Sequence, residues 1–310
     1  MNKDEVAGPQ HYTGKEGWTP GDLEFYQRSQ NWEQITDEEH QIWQELYDQQ
    51  IGILPGRALP EYFQSLKDLK ITGKNVPKYE DINKVLKEKT GWTVIGVPGL
   101  IPAEPFFEML SNRIFPVGNF MRTREQFNYI QEPDAFHDLF GHVPLLTNQA
   151  YADFIQAYGR GGMKATKLGA VMPLSRLYWH TIEFGLINTD EGIRIFGAGL
   201  LSSPTESKFC LESDSPHRIK FNLERMMCSA YNIDDFQEHY FVINSFDDLV
   251  ASTKPDFSPI YERLKGKKLI PPMNLVEQDQ IITKGTCIYA IDAQKRREER
   301  LAKKKASKVS

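Results

Sequence analysis

Two histidines and one glutamate in this sequence are residue types that bind a redox-active metal ion. His137 and His142 lie in the segment PDAFHDLFGHVP, and Glu183 lies in LYWHTIEFG. Two imidazoles and one carboxylate form the facial triad of non-haem iron oxygenases, which leaves coordination positions open for oxygen. The three residues therefore predict an iron(II) site that works with molecular oxygen.

The spacing of the two histidines does not suit a regular α-helix. Five residues turn an α-helix by about 500°, so the side chains of His137 and His142 would point about 140° apart. We expect Gly141 to end or loosen the helix and Pro144 to prevent its continuation, so that His142 swings back toward His137. The spacing also argues against the zinc-protease pattern HExxH, in which the histidines are four residues apart and share a face.

Each predicted ligand has an alternative interpretation. The two histidines could be unrelated, one buried and one exposed. Glu183 could pair with a basic residue such as Arg176, although its apolar neighbours make an unpaired carboxylate costly. His180 is a rival ligand, but a third histidine would favour zinc over iron. If the two histidines are buried, each ring nitrogen needs a partner, and Asp134 and Asp138 are candidates to accept a ring N–H.

Helical patterns dominate the segments that must position these residues. A capping box at residues 36–39 begins a first helix, and WTVIGV at 92–97 predicts a short strand. Residues 192–203 predict a hairpin or loop. The sequence lacks the alternation of strands and helices that would indicate a parallel sheet. Further helices are predicted over 103–112, 134–140, 149–158, 173–187, 218–231 and 246–253. We therefore predict a mainly α fold, with a single catalytic domain of packed helices and a few short antiparallel strands.

Composition, charge and cysteine content exclude several classes of protein. The 310 residues are 40% hydrophobic and 25% charged, which is the ordinary globular range. A net charge of −5 does not favour a nucleic-acid partner, and neither a signal peptide nor a membrane span is expected. The three cysteines are far apart and form no CxxC pair, which indicates a reducing cytoplasmic compartment. The basic segment 294–310 is expected to be a solvated helix end.

Four segments, in order, resemble the aromatic amino acid hydroxylases, and most closely the bacterial members of that family. The segments are TGW and VPGLI within 90–101, PDAFHDLFGHVP at 133–144, YWHTIEFGL at 178–186 and GAGLLSS at 197–203. Their number and order make the match more specific than a lone motif. The resemblance extends over roughly residues 36–249.

The resemblance implies an enzyme that uses iron(II), oxygen and a tetrahydropterin, either tetrahydrobiopterin or a bacterial equivalent. The expected reaction is hydroxylation of L-phenylalanine to L-tyrosine. His137, His142 and Glu183 match the iron ligands. The other matching positions are Arg122 and Ser202 for the substrate carboxylate, Pro133, Trp179 and Phe184 for apolar walls around the substrate ring, Gly99, Ile101, Phe106 and Asp138 for the pterin, and Tyr178 and Glu206 as catalytic residues.

The resemblance also implies a domain organisation. We expect an N-terminal arm over 1–30, the iron- and pterin-dependent catalytic domain over 31–270, and an extension with a basic tail over 271–310. Too few residues precede 36 for the regulatory domain of the animal enzymes, and the tail lacks the apolar heptads of their tetramerising helix, so a monomer is expected. Two alternatives remain: a zinc hydrolase with the same ligands, and a non-enzymatic, metal-stabilised binding protein.

Overall fold

A computed structural model describes residues 17–233 and 235–296 of the chain. The predicted arm up to residue 16 and the basic tail from residue 297 lie outside the described residues. Within the described part, no helix has both the length and the apolar character that crossing a membrane requires.

The first half of the chain is mainly helical and ends in the segment that carries both histidines. The capping box is confirmed, because the hydroxyl of Thr36 accepts the backbone N–H of Glu39 and the Glu39 carboxylate accepts that of Thr36. The elements are α1 (Asp37–Ile53), α2 (Pro60–Asp68), α3 (Tyr79–Lys89), β1 (Thr93–Val97), α4 (Ala103–Ser111), β2 (Ile114–Gly118), a first π-helix (His137–His142) and a 3-10 helix (Pro144–Thr147).

The second half alternates helices with short strands. Its elements are α5 (Gln149–Lys167), α6 (Val171–Tyr178), a second π-helix (Trp179–Glu183), β3 (Leu186–Thr189), β4 (Gly192–Ile195), α7 (Ala198–Leu201), α8 (Glu206–Glu212), β5 (His217–Lys220), α9 (Leu223–Met227), β6 (His239–Ile243), α10 (Phe246–Ser252), α11 (Ser258–Leu264) and β7 (Ile281–Thr283). The prediction of a mainly helical chain with few, short strands is confirmed.

The prediction that the strands are antiparallel is wrong for most pairings. Strands β1 and β2 form a parallel pair, and the larger sheet has the order β4-β3-β6-β5-β7. In that sheet β6 pairs in parallel with both β3 and β5, whereas β4 and β7 pair antiparallel at its edges. The central strand β6 is buried at all five positions. It therefore lacks the alternation of apolar and polar residues that marks a half-exposed strand.

Three local predictions need correction because the elements concerned are very short. Residues 218–231, expected to be helical, contain the last residues of β5, followed by α9. Residues 173–187 contain the end of α6, the second π-helix and the start of β3. The expected loop at 192–203 contains β4 and α7. In each case an element of only four or five residues is too short for its period to be recognised in the sequence.

Helix α5 lies against α4, and two of its glycines permit the close approach. A Cβ atom at Gly159 would lie 2.5 Å from the backbone nitrogen of Ser111, and one at Gly162 would lie 2.2 Å from the ring of Phe107. Both distances are shorter than van der Waals contact, so a larger residue at either position would displace α4. Helix α4 carries Phe106, one of the residues expected at the cofactor site.

Candidate active site

The first π-helix brings His137 and His142 to the same side of the chain. The backbone N–H of Val143 donates to the carbonyl oxygen of Asp138, five residues earlier, at 3.0 Å. In this wider helix, residues five apart lie one turn apart. Of the two alternatives expected for Gly141, that it ends the helix is wrong, since the backbone remains helical through Val143, whereas a loosened helix agrees with the wider π form. Gly141 is required for packing instead, because a Cβ there would lie 2.8 Å from the carbonyl oxygen of Ala198 in α7.

The second π-helix ends at Glu183 and directs its carboxylate toward the two histidines. The backbone N–H of Phe184 donates to the carbonyl oxygen of Trp179 at 2.9 Å, again five residues earlier. Glu183 Oε1 lies 3.1 Å from His142 Nε2, and Glu183 Oε2 lies 3.5 Å from His137 Nε2. The two Nε2 atoms are 3.1 Å apart. Among the described residues, this is the group of three ligand atoms close enough to share one metal ion.

Hydrogen bonding fixes the tautomer of His137 in the form that a metal requires. The hydroxyl of Ser202 donates to the carbonyl oxygen of Ala198 at 2.9 Å, so it can only accept at its 2.9 Å contact with His137 Nδ1. His137 therefore carries its proton on Nδ1 and turns the lone pair of Nε2 toward the other two ligands. Metal-bound histidines typically donate their second ring nitrogen in this way. The role of Ser202 toward a substrate carboxylate stays a prediction.

The charges of the three ligand residues suit a divalent cation. Burial lowers the pKa of His137 to about 4, so this imidazole is neutral near neutral pH. Burial alone would raise the pKa of Glu183, but the adjacent His142 and His137 outweigh it and lower that pKa. The carboxylate is therefore ionised. One carboxylate and two imidazoles form a donor set that fits iron(II).

The alternatives for these ligands do not agree with the structure. Arg176 donates to the carbonyl oxygen of Met227 at 3.2 Å, while Glu183 faces the two histidines. His180 lies in a separate place, with its ring 5.0 Å from that of His239. The interpretation of the two metal-site histidines as unrelated, one of them exposed, is wrong, because their ring centroids are 4.8 Å apart.

Arg122 is held in a fixed orientation beside the metal site by Asp134. Its Nε and Nη2 donate to the two carboxylate oxygens of Asp134 at 2.8 and 2.9 Å, and Asp134 is fully buried. Asp134 also accepts the backbone N–H of His137 at 3.0 Å, so it does not serve as the expected acceptor of a ring N–H. Burial would raise the pKa of Asp134, but the Arg122 guanidinium outweighs it and lowers that pKa. The remaining Nη1 lies 3.3 Å from the carbonyl oxygen of Phe127.

Aromatic rings form a wall next to the second π-helix. The ring of Trp179 lies 4.9 Å from that of Phe184 and stacks on Tyr231 at 4.4 Å. Tyr231 was missed in the sequence, where a lone tyrosine 52 positions after Trp179 gives no signal of contact. Pro133 is partly buried, and its carbonyl oxygen would lie 2.7 Å from a Cβ at Gly118. The role of Pro133, Trp179 and Phe184 as apolar walls around a substrate ring stays a prediction.

Three of the residues expected at the pterin lie on the β1–α4 connection and in α4, and one of them contacts Tyr178 at the end of α6. Gly99 has a φ of 152°, a backbone conformation that favours glycine. Ile101 is buried, and Phe106 packs edge-on against Tyr178 with ring centroids 5.7 Å apart. The ring of Tyr178 lies 6.1 Å from that of His142. The partly exposed ring of Phe106 is therefore separated from His142 by the ring of Tyr178, and a flat cofactor could stack on it.

Two further carboxyl groups predicted at the site are buried, and burial raises the pKa of each to about 7. Asp138 accepts the backbone N–H of Gly118 at 2.7 Å. Glu206 accepts the hydroxyl of Tyr240 at 2.7 Å and the backbone N–H of Gln237 at 3.0 Å. Tyr240 and Gln237 were missed in the sequence analysis, because they lie more than 30 residues from Glu206.

The sequence of the chain is similar to those of one family of enzymes. A family described as biopterin-dependent aromatic amino acid hydroxylase matches residues 25–264. The phenylalanine-4-hydroxylase of Caulobacter vibrioides is 48% identical over 88% of this chain and 93% of its own length. That of Ralstonia nicotianae is 49% identical over 81% of this chain and 80% of its own length.

Solved structures of one bacterial enzyme are similar as well. The phenylalanine hydroxylase of Chromobacterium violaceum with bound oxidised Fe(III) gives a TM-score of 0.81 at 47% identity, covering 83% of this chain and 94% of that one. The same enzyme bound to cobalt gives a TM-score of 0.82, covering 83% of this chain and 93% of that one. These structures therefore share the fold of most of the chain.

Proposed function

The chain belongs to the family of biopterin-dependent aromatic amino acid hydroxylases, and we propose that His137, His142 and Glu183 hold its catalytic iron. It is a phenylalanine 4-monooxygenase, which converts L-phenylalanine to L-tyrosine with oxygen, iron and a tetrahydropterin. The observation that supports these three ligands is the convergence of their donor atoms at 3.1 to 3.5 Å from one another. The iron and the reduced pterin, when bound, supply the activation of oxygen.

In this proposal the protein holds and orients the reactants. Arg122, fixed by its bidentate pairing with Asp134, binds the substrate carboxylate with the N–H groups that Asp134 leaves available, and Ser202 supports that contact. The apolar walls of Pro133, Trp179 and Phe184 exclude water and direct the substrate ring toward the metal ligands. Such positioning of two reactants contributes several kcal/mol to catalysis.

The pterin is proposed to bind between the β1–α4 connection and the metal ligands. Phe106 offers its ring for stacking, and the backbone of Gly99 and the side chain of Ile101 form the adjacent surface. Asp138, whose pKa burial raises to about 7, is able to accept or donate a hydrogen bond near neutral pH. Tyr178 lies between this surface and the metal ligands, and its hydrogen bonding helps to lower the pKa of Glu183.

The organisation and partners of the enzyme complete the proposal. We propose an arm over 1–30, a catalytic domain over 31–270 and an extension over 271–310, in a monomer of the reducing cytoplasm. The three free cysteines support a reducing compartment, and the net charge of −5 disfavours a nucleic-acid partner. We also propose that the protein does not bind a membrane. The predicted partners are the small-molecule substrates.

The test is tyrosine formation by purified protein supplied with iron(II), a tetrahydropterin, oxygen and L-phenylalanine. His142→Ala should abolish the product and reduce bound iron measured by elemental analysis. His180→Ala removes the rival histidine from the helix that carries Glu183, and it should retain iron. Iron retained in His142→Ala and lost in His180→Ala would reject the ligand assignment. Tight zinc with activity independent of pterin would favour the hydrolase alternative.

A further inference from the structure

The carboxyl group of Glu206 is held in place by Tyr240 in β6 and by the loop at 235–238, which precedes β6. Both of its protein hydrogen bonds end on Oε1, one from the hydroxyl of Tyr240 and one from the backbone N–H of Gln237. The side chain is buried except for 7% of its surface. The position of this carboxyl group therefore depends in part on the conformation of the loop, through Gln237.

The loop is in turn held by a side chain of the C-terminal extension. The hydroxyl of Tyr289 donates to Asp235 Oδ1 at 2.5 Å. The ring of Tyr289 stacks on Phe236 at 5.1 Å and packs edge-on against Phe209 at 5.2 Å. Phe209 lies in α8, three residues after Glu206, and its ring is 4.6 Å from that of Phe236. Three aromatic rings thus join the extension, the loop and the helix that carries Glu206.

The extension itself is fixed to the sheet around Tyr289. The backbone N–H of Tyr289 donates to the hydroxyl of Ser215 at 3.0 Å, and that hydroxyl donates to Glu238 Oε2 at 3.0 Å. The backbone N–H of Cys287 donates to the carbonyl oxygen of Ser215 at 2.8 Å. Ser215 and Glu238 are each only 1% exposed. Tyr289 is therefore anchored by its backbone as well as by its ring.

We propose that Tyr289 is a positioning residue of the active site. Through Asp235 and Phe236 it holds the backbone N–H of Gln237, and thereby orients the Glu206 carboxyl group toward the bound amino acid. This inference rests on the proposed function, in which Glu206 is a catalytic residue. Tyr289 lies beyond residue 264, where the family match ends, so the catalytic unit includes part of the extension. A supporting group of this kind determines how accurately a catalytic side chain is placed.

The test compares Tyr289→Ala in the full chain with the same change in a Glu206→Gln background. In the otherwise unchanged enzyme, Tyr289→Ala should lower kcat/KM for L-phenylalanine about tenfold, and the KM for the pterin and the bound iron should not change. In the Glu206→Gln background the same change should have less than about a twofold effect, because the group that it positions is already altered. Ile288→Ala, an exposed neighbour on the same helical turn, is the control and should have no effect.

Two further variants separate positioning from folding. Tyr289→Phe keeps the ring contacts and removes the hydrogen bond to Asp235, and Asp235→Asn alters the other side of that bond. Each should lower kcat/KM by about threefold, and the two together by no more than either alone. They provide the same test if Tyr289→Ala fails to fold.

Three results would overturn the inference. Full kcat/KM in both Tyr289→Phe and Tyr289→Ala would show that the contact has no role in catalysis. Equal losses in both Glu206 backgrounds would show a general effect on the fold. If Glu206→Gln itself has normal kinetics, the catalytic role proposed for Glu206 fails as well, which distinguishes that failure from a silent Tyr289 beside an important Glu206.

Discussion

His137 and His142 in one region, and His180 and His239 in another, form two histidine pairs with nearly the same ring separation. The centroids are 4.8 Å apart in the first pair and 5.0 Å apart in the second. The difference lies in what faces each pair. Glu183 lies within 3.5 Å of both histidines of the first pair, whereas His239 donates from Nδ1 to the carbonyl oxygen of Pro272 at 2.8 Å.

The nearby carboxylate reverses the effect of burial on one histidine of the first pair, whereas burial still lowers the pKa of His137 to about 4. Burial lowers the pKa of His239 to about 4 and that of His180 well below its ordinary value. Burial would also lower the pKa of His142, but the charge of Glu183 outweighs it and raises that pKa. The first pair thus has an adjacent carboxylate that suits it to a cation, whereas burial keeps both rings of the second pair neutral. Closeness of histidines alone does not make a metal site.

The largest expected effect is that of Glu183→Gln, which removes the charge and keeps the size of the side chain. Loss of a hydrogen-bonding partner of a ligand typically costs 10- to 100-fold in metal affinity or activity, so loss of a ligand should cost more than about 100-fold. Elemental analysis and tyrosine formation measure the two effects. Glu212→Gln, which alters an exposed carboxylate in α8, is the control. If Glu183→Gln binds as much iron as the unaltered protein, the carboxylate does not distinguish the first histidine pair from the second.

The second prediction concerns the pH dependence contributed by His239. In the unfolded chain this imidazole takes up a proton near pH 6.5, but in the folded protein only near pH 4. Its contribution is fully present above pH 6.5 and is lost as the pH falls toward 4. At 1.36 kcal/mol per pH unit of pKa difference, the whole effect is about 3 kcal/mol.

His239→Asn keeps a donor for Pro272 and cannot titrate in this range. The difference in unfolding free energy between this variant and the unaltered protein should therefore change by about 2 kcal/mol between pH 7 and pH 5. Urea unfolding at a series of pH values measures it. A difference that is constant with pH would mean that His239 is not held neutral.

The third prediction tests the packing of the first π-helix. Gly141→Ala places a methyl group against the backbone of Ala198 in α7, and such overpacking typically costs about 1–3 kcal/mol. Thermal unfolding measures the loss. Gly161→Ala, in α5, is the matched control, because nothing lies within 4 Å of a Cβ there. That change should stabilise the helix by about 0.5–1 kcal/mol. Equal effects of the two changes would contradict the packing role of Gly141.

The smallest effect is expected for Ser202→Ala, which removes the acceptor for the Nδ1–H of His137. Iron affinity should fall about tenfold, because the ring loses its fixed tautomer and orientation. Competition with a chelator measures the affinity. Ser207→Ala is the control, since its buried hydroxyl has no hydrogen-bond partner among the described residues. Unchanged iron affinity in Ser202→Ala would show that the tautomer is set in another way.

The types of the proposed metal ligands could be predicted from the sequence, but their geometry could not. His137, His142 and Glu183 were identified because two imidazoles and a carboxylate in apolar surroundings have few other uses. His137 and His142 lie close together because they are in a π-helix. A π-helix is defined by backbone hydrogen bonds, and it produces no recognisable periodicity of apolar residues in the sequence. From the sequence, Gly141 was therefore expected to end or loosen the helix, whereas the backbone stays helical in the wider π form through Val143.

Contacts between distant segments explain the other differences. Strand β6 is buried throughout, so it has no alternating pattern, and its parallel pairing with β3 and β5 depends on crossovers through helices. The hydrogen bond between Glu206 and Tyr240 spans 34 residues, and that between Tyr289 and Asp235 spans 54. Neither pair has a local motif. The catalytic role of Glu206 was taken from a family resemblance, which gives a position but not the groups that hold it.

The most direct test of the proposed site is the return of iron(II) to metal-free protein in measured amounts, with L-phenylalanine, oxygen and a tetrahydropterin present. Tyrosine formation should rise in proportion to the iron added and should level off at one iron per chain. His137, His142 and Glu183 form one site, so no second phase is expected. Full activity in metal-free protein, or full activity restored by zinc, would contradict the assignment of these residues to a catalytic iron.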